Sequence, residues 1–388
     1  MQTGLDRLFR HHSNLIKGRR LGVLGHPASL DKLHRPILQA LREEGAGEVV
    51  ALFGPEHGFS GQAQDMEAVA GETQDGQKVY SLYGSTFESL RPKQEWLQDV
   101  EVLLCDLQDV GARYYTFIYT MAFCMEVAAQ TGTRVVVLDR PNPINGHQVE
   151  GNLVGEGFRS FVGYYPLANR HGMTIGELAG LFKQEYRLGC ELTVVPMKGW
   201  HRRRYFDELD LPWVQPSPNM PTVDTAVVYP GMCLLEGTEL SEGRGTTRPF
   251  ETFGAPFIDG EALVKRLQDF RLPGVRFQAI QFKPAFQKHA GQVCGGAQIH
   301  VTRRRAFKST LTGVAVLKAV QELYPDDFKY RDRAYEFVED IPAIDLLAGS
   351  DQLREQLKNG VSLKEIEASW EAERESFLEL RKKYLLYT

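Results

Sequence analysis

A carboxylate held between a proline and a His-Gly pair is the most suggestive chemical feature of this chain. Glu56 stands in Phe53-Gly54-Pro55-Glu56-His57-Gly58-Phe59. A rigid turn can fix such a side chain and strip away part of its water. Desolvation raises a carboxyl pKa, as a general acid working near neutrality requires. The same residue could equally be a loop carboxylate that accepts backbone N–H groups. Residue type alone leaves both open.

Other polar groups recur in short, punctuated segments. Asp106 and Asp109 lie in Asp106-Leu107-Gln108-Asp109-Val110-Gly111-Ala112-Arg113. Arg113 could anchor that loop through a salt bridge to Asp109, or clamp substrate hydroxyls with it. Tyr114, Tyr115 and Tyr119 offer rings for a sugar face or for the core. Asn142 belongs to Asp139-Arg140-Pro141-Asn142-Pro143, and Asn219 to Pro216-Ser217-Pro218-Asn219-Met220-Pro221. His171, in His171-Gly172-Met173-Thr174, precedes a helix start, where unpaired N–H groups attract anions or carbonyls. It could orient a substrate group or simply pack there.

The most distinctive stretch runs from Glu236-Gly237-Thr238 into Ser241-Glu242-Gly243-Arg244-Gly245-Thr246-Thr247. Its glycines let backbone amides point inward, and Arg244 can grip a carboxylate with two parallel hydrogen bonds. A structured hinge between domains is the plainer reading. Glu126 is a lone carboxylate among Met121, Phe123, Met125 and Val127 of a helical stretch. It must reach solvent or find a partner in a polar cleft; an outward-facing position is the simpler case.

The elements that position these groups follow from hydrophobic period. Residues 21–24, 49–53, 100–104 and 135–138 read as short, continuously apolar strands. Helical patterns over 32–44 and 114–130 separate them, which indicates a buried parallel sheet with crossover connections. Right-handed crossovers make this a doubly wound, mostly parallel α/β architecture. Thr174 caps a helix to about residue 186, with Glu177 as its capping-box partner. Residues 191–196 form a further strand. Residues 217–254 read as a long functional loop, followed by strands over 275–282 and 297–302 and helices over 313–323 and 363–384. The expected division is a domain over 1–245 and a smaller α+β C-terminal domain over 246–388. In an open parallel sheet, ligands bind beyond the carboxyl ends of the strands. Glu56, Asp106, Asp109 and Asn142 all fall on that rim.

Composition excludes several classes. The 388 residues carry a net charge of −5, which does not suit a nucleic-acid binder. The clusters Arg202-Arg203-Arg204 and Arg303-Arg304-Arg305 read as solvated faces. Five widely spaced cysteines without a CxxC suit a reducing compartment. No leader-like pattern or bilayer-length apolar run occurs, so a cytoplasmic location is expected, with no membrane partner. No HExxH-like spacing points to a metal. A nucleotide-dependent enzyme on the same fold is disfavoured, because neither GxGxxG after the first strand nor a Walker A sequence is present. No cofactor is expected.

The ordered motifs around Glu56, Asp106, Asp139, His171, Asn219 and Arg244, with the closing Arg381-Lys382-Lys383-Tyr384-Leu385-Leu386-Tyr387, resemble the exo-β-N-acetylmuramidases, glycoside hydrolase family 171. The resemblance runs essentially end to end. It implies a Rossmann-like domain and a smaller C-terminal domain around a cleft. It also implies release of N-acetylmuramic acid from non-reducing ends of peptidoglycan fragments, as in cell-wall turnover and recycling. The substrate would be a small muropeptide or disaccharide. The family's glutamates place one catalytic residue at Glu56, and the second is assigned here to Glu126. Substrate contacts are expected from His57, Asp106, Asp109, Arg113, Tyr115, Asn142, His171, Asn219, Glu236, Ser241, Glu242, Arg244 and Thr246. Two departures from the family pattern are Gly25-His26-Pro27-Ala28-Ser29, in place of an Asn-Gln-Thr-Ser-like run, and Glu239 in place of Asn. Family members are often exported. Retaining, inverting and substrate-assisted routes all stay open, as does a non-catalytic muropeptide-binding role.

Overall fold

Uninterrupted aliphatic runs are stable as strands only where both faces are covered. In the computed structural model, which describes residues 1–64, 66–68, 72–74 and 76–388, they form the centre of a seven-stranded sheet. Its strands are β1 (Arg20–Gly25), β2 (Glu48–Gly54), β3 (Glu72–Gln74), β4 (Gln77–Ser81), β5 (Val102–Asp106), β6 (Arg134–Leu138) and β7 (Leu192–Val195). The spatial order is β3-β4-β2-β1-β5-β6-β7. Every pair is parallel except β3 with β4. Helices α1 (Gly4–His11) and α2 (Ile37–Glu43) cover one face, over Val23, Leu52, Leu104 and Val136. Helices α3 (Phe117–Thr131) and α4 (Ile175–Glu185) cover the other, over Leu24, Phe53, Leu103 and Val137. The expected doubly wound α/β sheet is therefore present.

Local departures have local causes. Strands β3 and β4 were not anticipated, because β3 at the sheet edge and the short β4 beside it carry polar residues and no long apolar run. Helix α2 starts at Ile37 rather than near residue 32. Asp31 Oδ1 accepts the N–H groups of Leu33 and Arg35 at 2.9 Å each, so a side-chain turn takes the donors a helix would need. The anticipated cap at Thr174 is real, with Glu177 Oε2 on the Thr174 N–H at 3.0 Å and Thr174 Oγ1 on the Glu177 N–H at 3.3 Å.

The stretch 217–254 is not one loop. It contains α5 (Val223–Met232), a short 3₁₀ turn over Cys233–Gly237 and the start of β8 (Thr252–Ala255). With β9 (Val275–Phe282) and β10 (Cys294–Val301), β8 makes a second, antiparallel sheet in the order β8-β10-β9. Helices α6 (Gly260–Asp269), α7 (Ser309–Leu323), α8 (Ala343–Ala348), α9 (Gln352–Lys358), α10 (Leu363–Ser369) and α11 (Glu371–Lys382) complete this region. Helices α5 and α7 touch backbone to backbone. A Cβ at Gly231 would lie 1.9 Å from the Ser309 carbonyl oxygen, and one at Gly313 would lie 2.0 Å from the Gly231 oxygen. Only glycine fits either position.

Two buried arginines tie distant segments together. Arg202 and the chain end hold each other: Arg202 Nε donates to the Tyr387 carbonyl, and the Arg202 N–H to the Thr388 carbonyl, both at 3.0 Å. Arg113 is fully buried and donates to the carbonyls of Asn152 (2.8 Å), Leu167 (2.9 Å) and, in α8, Leu347 (2.8 Å). It is thus a clamp on the protein's own backbone rather than on a substrate. Replacing it, Arg113→Met, leaves three buried carbonyls unpaired. The expected loss is on the order of 3–5 kcal/mol in urea unfolding; a loss below about 1 kcal/mol would contradict the clamp.

Candidate active site

Strand β2 delivers Glu56 through a tight turn in which the Gly58 N–H donates to the Pro55 carbonyl at 2.9 Å. His57 has φ +73°, a left-handed conformation that costs a non-glycine residue energy and persists where surroundings enforce it. Its Nδ1 lies 2.9 Å from the Ala63 carbonyl oxygen. Glu56 is only 5% exposed, and Thr116 Oγ1, just before α3, donates to its Oε2 at 2.6 Å. The carboxylate is therefore aimed by two elements at once.

What it faces is a pocket lined by several segments of the chain. Glu56, His57 and Tyr115 line one side, and Asn219, Glu236 and Arg244 line another. Segments far apart in sequence thus converge. Burial pushes the Tyr115 phenol well above its ordinary pKa, so it stays protonated as a donor. Asn219 Nδ2 donates to Gln64 Oε1 at 3.0 Å, which fixes its orientation at the rim.

Arg244 is held by a buried ion network. Its Nη1 lies 2.8 Å from Glu236 Oε1 and 3.0 Å from Glu242 Oε1, and its guanidinium sits 4.9 Å from the Phe250 ring centroid. Lys288 Nζ meets Glu242 Oε2 at 2.9 Å. Two cations thus meet two carboxylates among these contacts. Burial drives the Glu242 carboxyl upward, but Lys288 and Arg244 outweigh it and hold the pKa down at about 2. Glu236 also accepts from the Tyr335 hydroxyl at 2.7 Å. Gly243 and Gly245 have φ of +83° and +80°, and a Cβ at Gly245 would approach the Phe286 carbonyl oxygen to 2.5 Å. The glycines thus let the Arg244 loop press against the β9–β10 connection.

Several anticipated contact residues do not line this cavity. Asp106 is fully buried and grips Arg140, Oδ1 to Nε at 2.5 Å and Oδ2 to Nη2 at 2.8 Å. Asp109 Oδ2 accepts the Gly111 N–H at 2.7 Å and faces His171 Nε2 at 3.3 Å. His171 Nδ1 accepts the Met173 N–H at 3.2 Å, so the helix-start packing role is the one realised. Asn142 bridges the Met173 carbonyl and the Ile144 N–H. Ser241 and Thr246 brace Gly243 from either side of the loop, and Glu242 stands behind Arg244. These residues shape the walls and do not face the space.

The structure does not bring Glu126 to Glu56. Glu126 sits ten residues along α3 from Thr116, about 15 Å at the helical rise. It pairs with Arg91 at 3.1 Å and accepts from the Tyr165 hydroxyl at 3.2 Å. Its assignment as second carboxylate is corrected accordingly. Conversely, Thr116, Ser217, Tyr229, Tyr335 and Glu336 line the cavity without having been singled out as site residues. Segment 331–337 carries no periodicity or motif that would have exposed the last two.

The sheet's switch point between β1 and β5 is filled by the protein itself. The Gln108 N–H donates to His26 Nε2 at 2.9 Å, and Ser29 Oγ donates to the Asp106 carbonyl at 2.5 Å. Burial pushes the His26 imidazole down to about 3, so it stays a neutral acceptor. A dinucleotide's phosphates would need that space. Among the described residues, no cluster of His, Cys, Asp or Glu side chains is arranged to hold a metal ion, and no helix is long and apolar enough to cross a membrane.

Comparison with known proteins gives a consistent picture. Family models described as exo-beta-N-acetylmuramidase NamZ match here, the N-terminal one over residues 21–224 and the C-terminal one over 227–387. The peptidoglycan beta-N-acetylmuramidase NamZ of Bacillus subtilis (strain 168) is 45% identical over 389 residues, covering 100% of this chain and 91% of that protein. Crystal structures of two DUF1343 family proteins from Bacteroides fragilis NCTC 9343 superpose with TM-scores of 0.89 and 0.79, at 33% and 29% identity. Each covers 100% of this chain and 99% of the other.

Proposed function

Since the chain belongs to the exo-beta-N-acetylmuramidase NamZ family, we propose that it releases N-acetylmuramic acid from the non-reducing ends of peptidoglycan fragments, with Glu56 as general acid and Arg244 as the receptor of the sugar's lactyl carboxylate. One observation supports this reading: the Glu56 carboxyl and the Arg244 guanidinium, contributed by segments almost two hundred residues apart, line a single pocket. N-Acetylmuramic acid differs from N-acetylglucosamine by that carboxylate, so a guanidinium in the pocket is the chemistry that tells them apart.

In this reading the terminal sugar enters the pocket and its glycosidic oxygen comes to Glu56. The C1–O4 bond breaks, its electron pair stays on O4, and Glu56 supplies the proton. Thr116 keeps the carboxyl pointed at that oxygen. Tyr115 stays a hydrogen-bond donor throughout. The Arg244 network needs no rearrangement on binding, because Glu236, Glu242 and Lys288 already fix the guanidinium; preorganised donors cost nothing at the moment of reaction.

The test is an assay on two disaccharides, one ending in N-acetylmuramic acid and one in N-acetylglucosamine, with products separated chromatographically. Cleavage of the first and not the second is expected. Equal cleavage would remove carboxylate recognition from the account, and cleavage of neither would remove the activity.

A further inference from the structure

Among the described residues, three carboxylates line the cavity: Glu56, Glu236 and Glu336. Glu236 is committed on both oxygens, to Arg244 and Cys233 on Oε1 and to the Tyr335 hydroxyl on Oε2. A carboxylate so engaged holds Arg244 in place. Glu336 differs in how it is presented. It is 3% exposed and accepts from the Tyr83 hydroxyl at 3.1 Å. It sits at the tip of a two-residue turn closed by reciprocal backbone bonds between Tyr335 and Val338, at 2.9 and 3.0 Å.

That turn is built against local preference. Glu336 has φ +46° and Phe337 φ +68°. Two consecutive positive φ values are the mark of the mirror-image hairpin turn, for which Asn-Gly is the favoured sequence. A Glu-Phe pair there is strained, and such strain persists where the surroundings enforce it and function uses it. The enforcement is visible: the Phe337 ring packs 5.7 Å from Tyr83 and 6.4 Å from Phe87, centroid to centroid. With Phe337 anchored on one side of the turn, Glu336 is delivered to the cavity on the other.

From this geometry we infer that Glu336 is the second catalytic carboxylate, acting on the face of the anomeric carbon opposite the leaving oxygen. The inference rests on the muramidase reading above. As C1–O4 breaks and Glu56 protonates O4, positive charge develops at C1, and the Glu336 carboxylate balances it. Water supplies the oxygen that ends on C1, and its proton returns to the carboxylate pair, so both groups are restored.

Glu336→Gly is the decisive variant, because glycine relieves the positive φ. Its melting temperature should equal or exceed the parent's, while hydrolysis falls by about 10²–10⁴-fold. The fall should be seen with the disaccharide and equally with 4-nitrophenyl β-N-acetylmuraminide, whose leaving group needs no acid. Added azide should then restore nitrophenol release and yield the α-glycosyl azide, since the small anion can occupy the vacated face. Glu336→Gln should show the same loss without the rescue, because the amide fills the space. Parent-like hydrolysis by Glu336→Gly, or a loss that azide does not rescue in a folded variant, would overturn the role. If the parent itself fails to cleave either substrate, the muramidase reading fails instead.

Discussion

Glu56→Gln should lower hydrolysis of an N-acetylmuramic acid disaccharide by about 10²–10⁴-fold, the range attributed to a positioned general acid. Glutamine keeps the size of the side chain and can still accept from Thr116 Oγ1, which lies 2.6 Å from Glu56 Oε2. The pocket should therefore keep its shape, and the melting temperature should change little. What disappears is the proton. A sugar alkoxide is a poor leaving group without one, whereas 4-nitrophenolate departs unaided. The same variant should thus lose far less on the nitrophenyl glycoside than on the disaccharide. That split separates acid catalysis from a general loss of binding or folding. A disaccharide rate equal to the parent's would end the assignment of Glu56.

Arg244→Met should also have a large effect, and it should appear in two measurements. For catalysis, losing one partner of a buried, charge-assisted contact typically costs 2–5 kcal/mol, so kcat/KM for the muramic acid substrate should fall roughly 30- to 5,000-fold. For stability, Glu236 and Glu242 would be left buried without this guanidinium, with Lys288 still on Glu242. Breaking a buried pair costs about 3–5 kcal/mol, which urea unfolding would register. Arg244→Lys keeps the charge but not the planar fork, and should recover stability more fully than selectivity. If both variants lowered kcat/KM for muramic acid and glucosamine ends by the same factor, Arg244 would be a structural residue alone. The network's pH behaviour follows from Glu242. Its folded pKa, about 2, is below the ordinary carboxyl value. Its contribution to stability is therefore complete above about pH 4.5 and lost as pH falls toward 2.

Much of the fold was legible because burial on both faces leaves a plain signature. The aliphatic runs that became β1, β2, β5 and β6 needed no context to be read as central strands. Edge strand β3 and its neighbour β4 were not legible, since one short polar strand beside another looks like loop. In the site, Glu56 and Arg244 could be picked out because Pro55 and Gly58, and Gly243 and Gly245, mark backbone that must hold a side chain in one place. Asp106, Asp109 and Asn142 stand on the predicted rim, yet they spend their hydrogen bonds on Arg140, Gly111, Met173 and Ile144, and His171, at its helix start, accepts from Met173. Position on a rim says where a residue is, and only its partners say whether it faces ligand. Glu126 misled for a related reason: a lone acid in an apolar helix signals a partner, and here the partner is Arg91. Glu336 was hidden because a positive φ at a non-glycine residue is imposed by tertiary packing, and no local preference announces it.

The central claim is that one terminal sugar meets Glu56 and Arg244 at the same time. A crystal structure of Glu56→Gln with the intact disaccharide bound tests it most directly. The account predicts the glycosidic oxygen within about 2.6–3.2 Å of the side chain at position 56 and the lactyl carboxylate against the Arg244 guanidinium. A muramic acid ring seated with its carboxylate turned to solvent, or with its glycosidic oxygen pointing away from position 56, would contradict it.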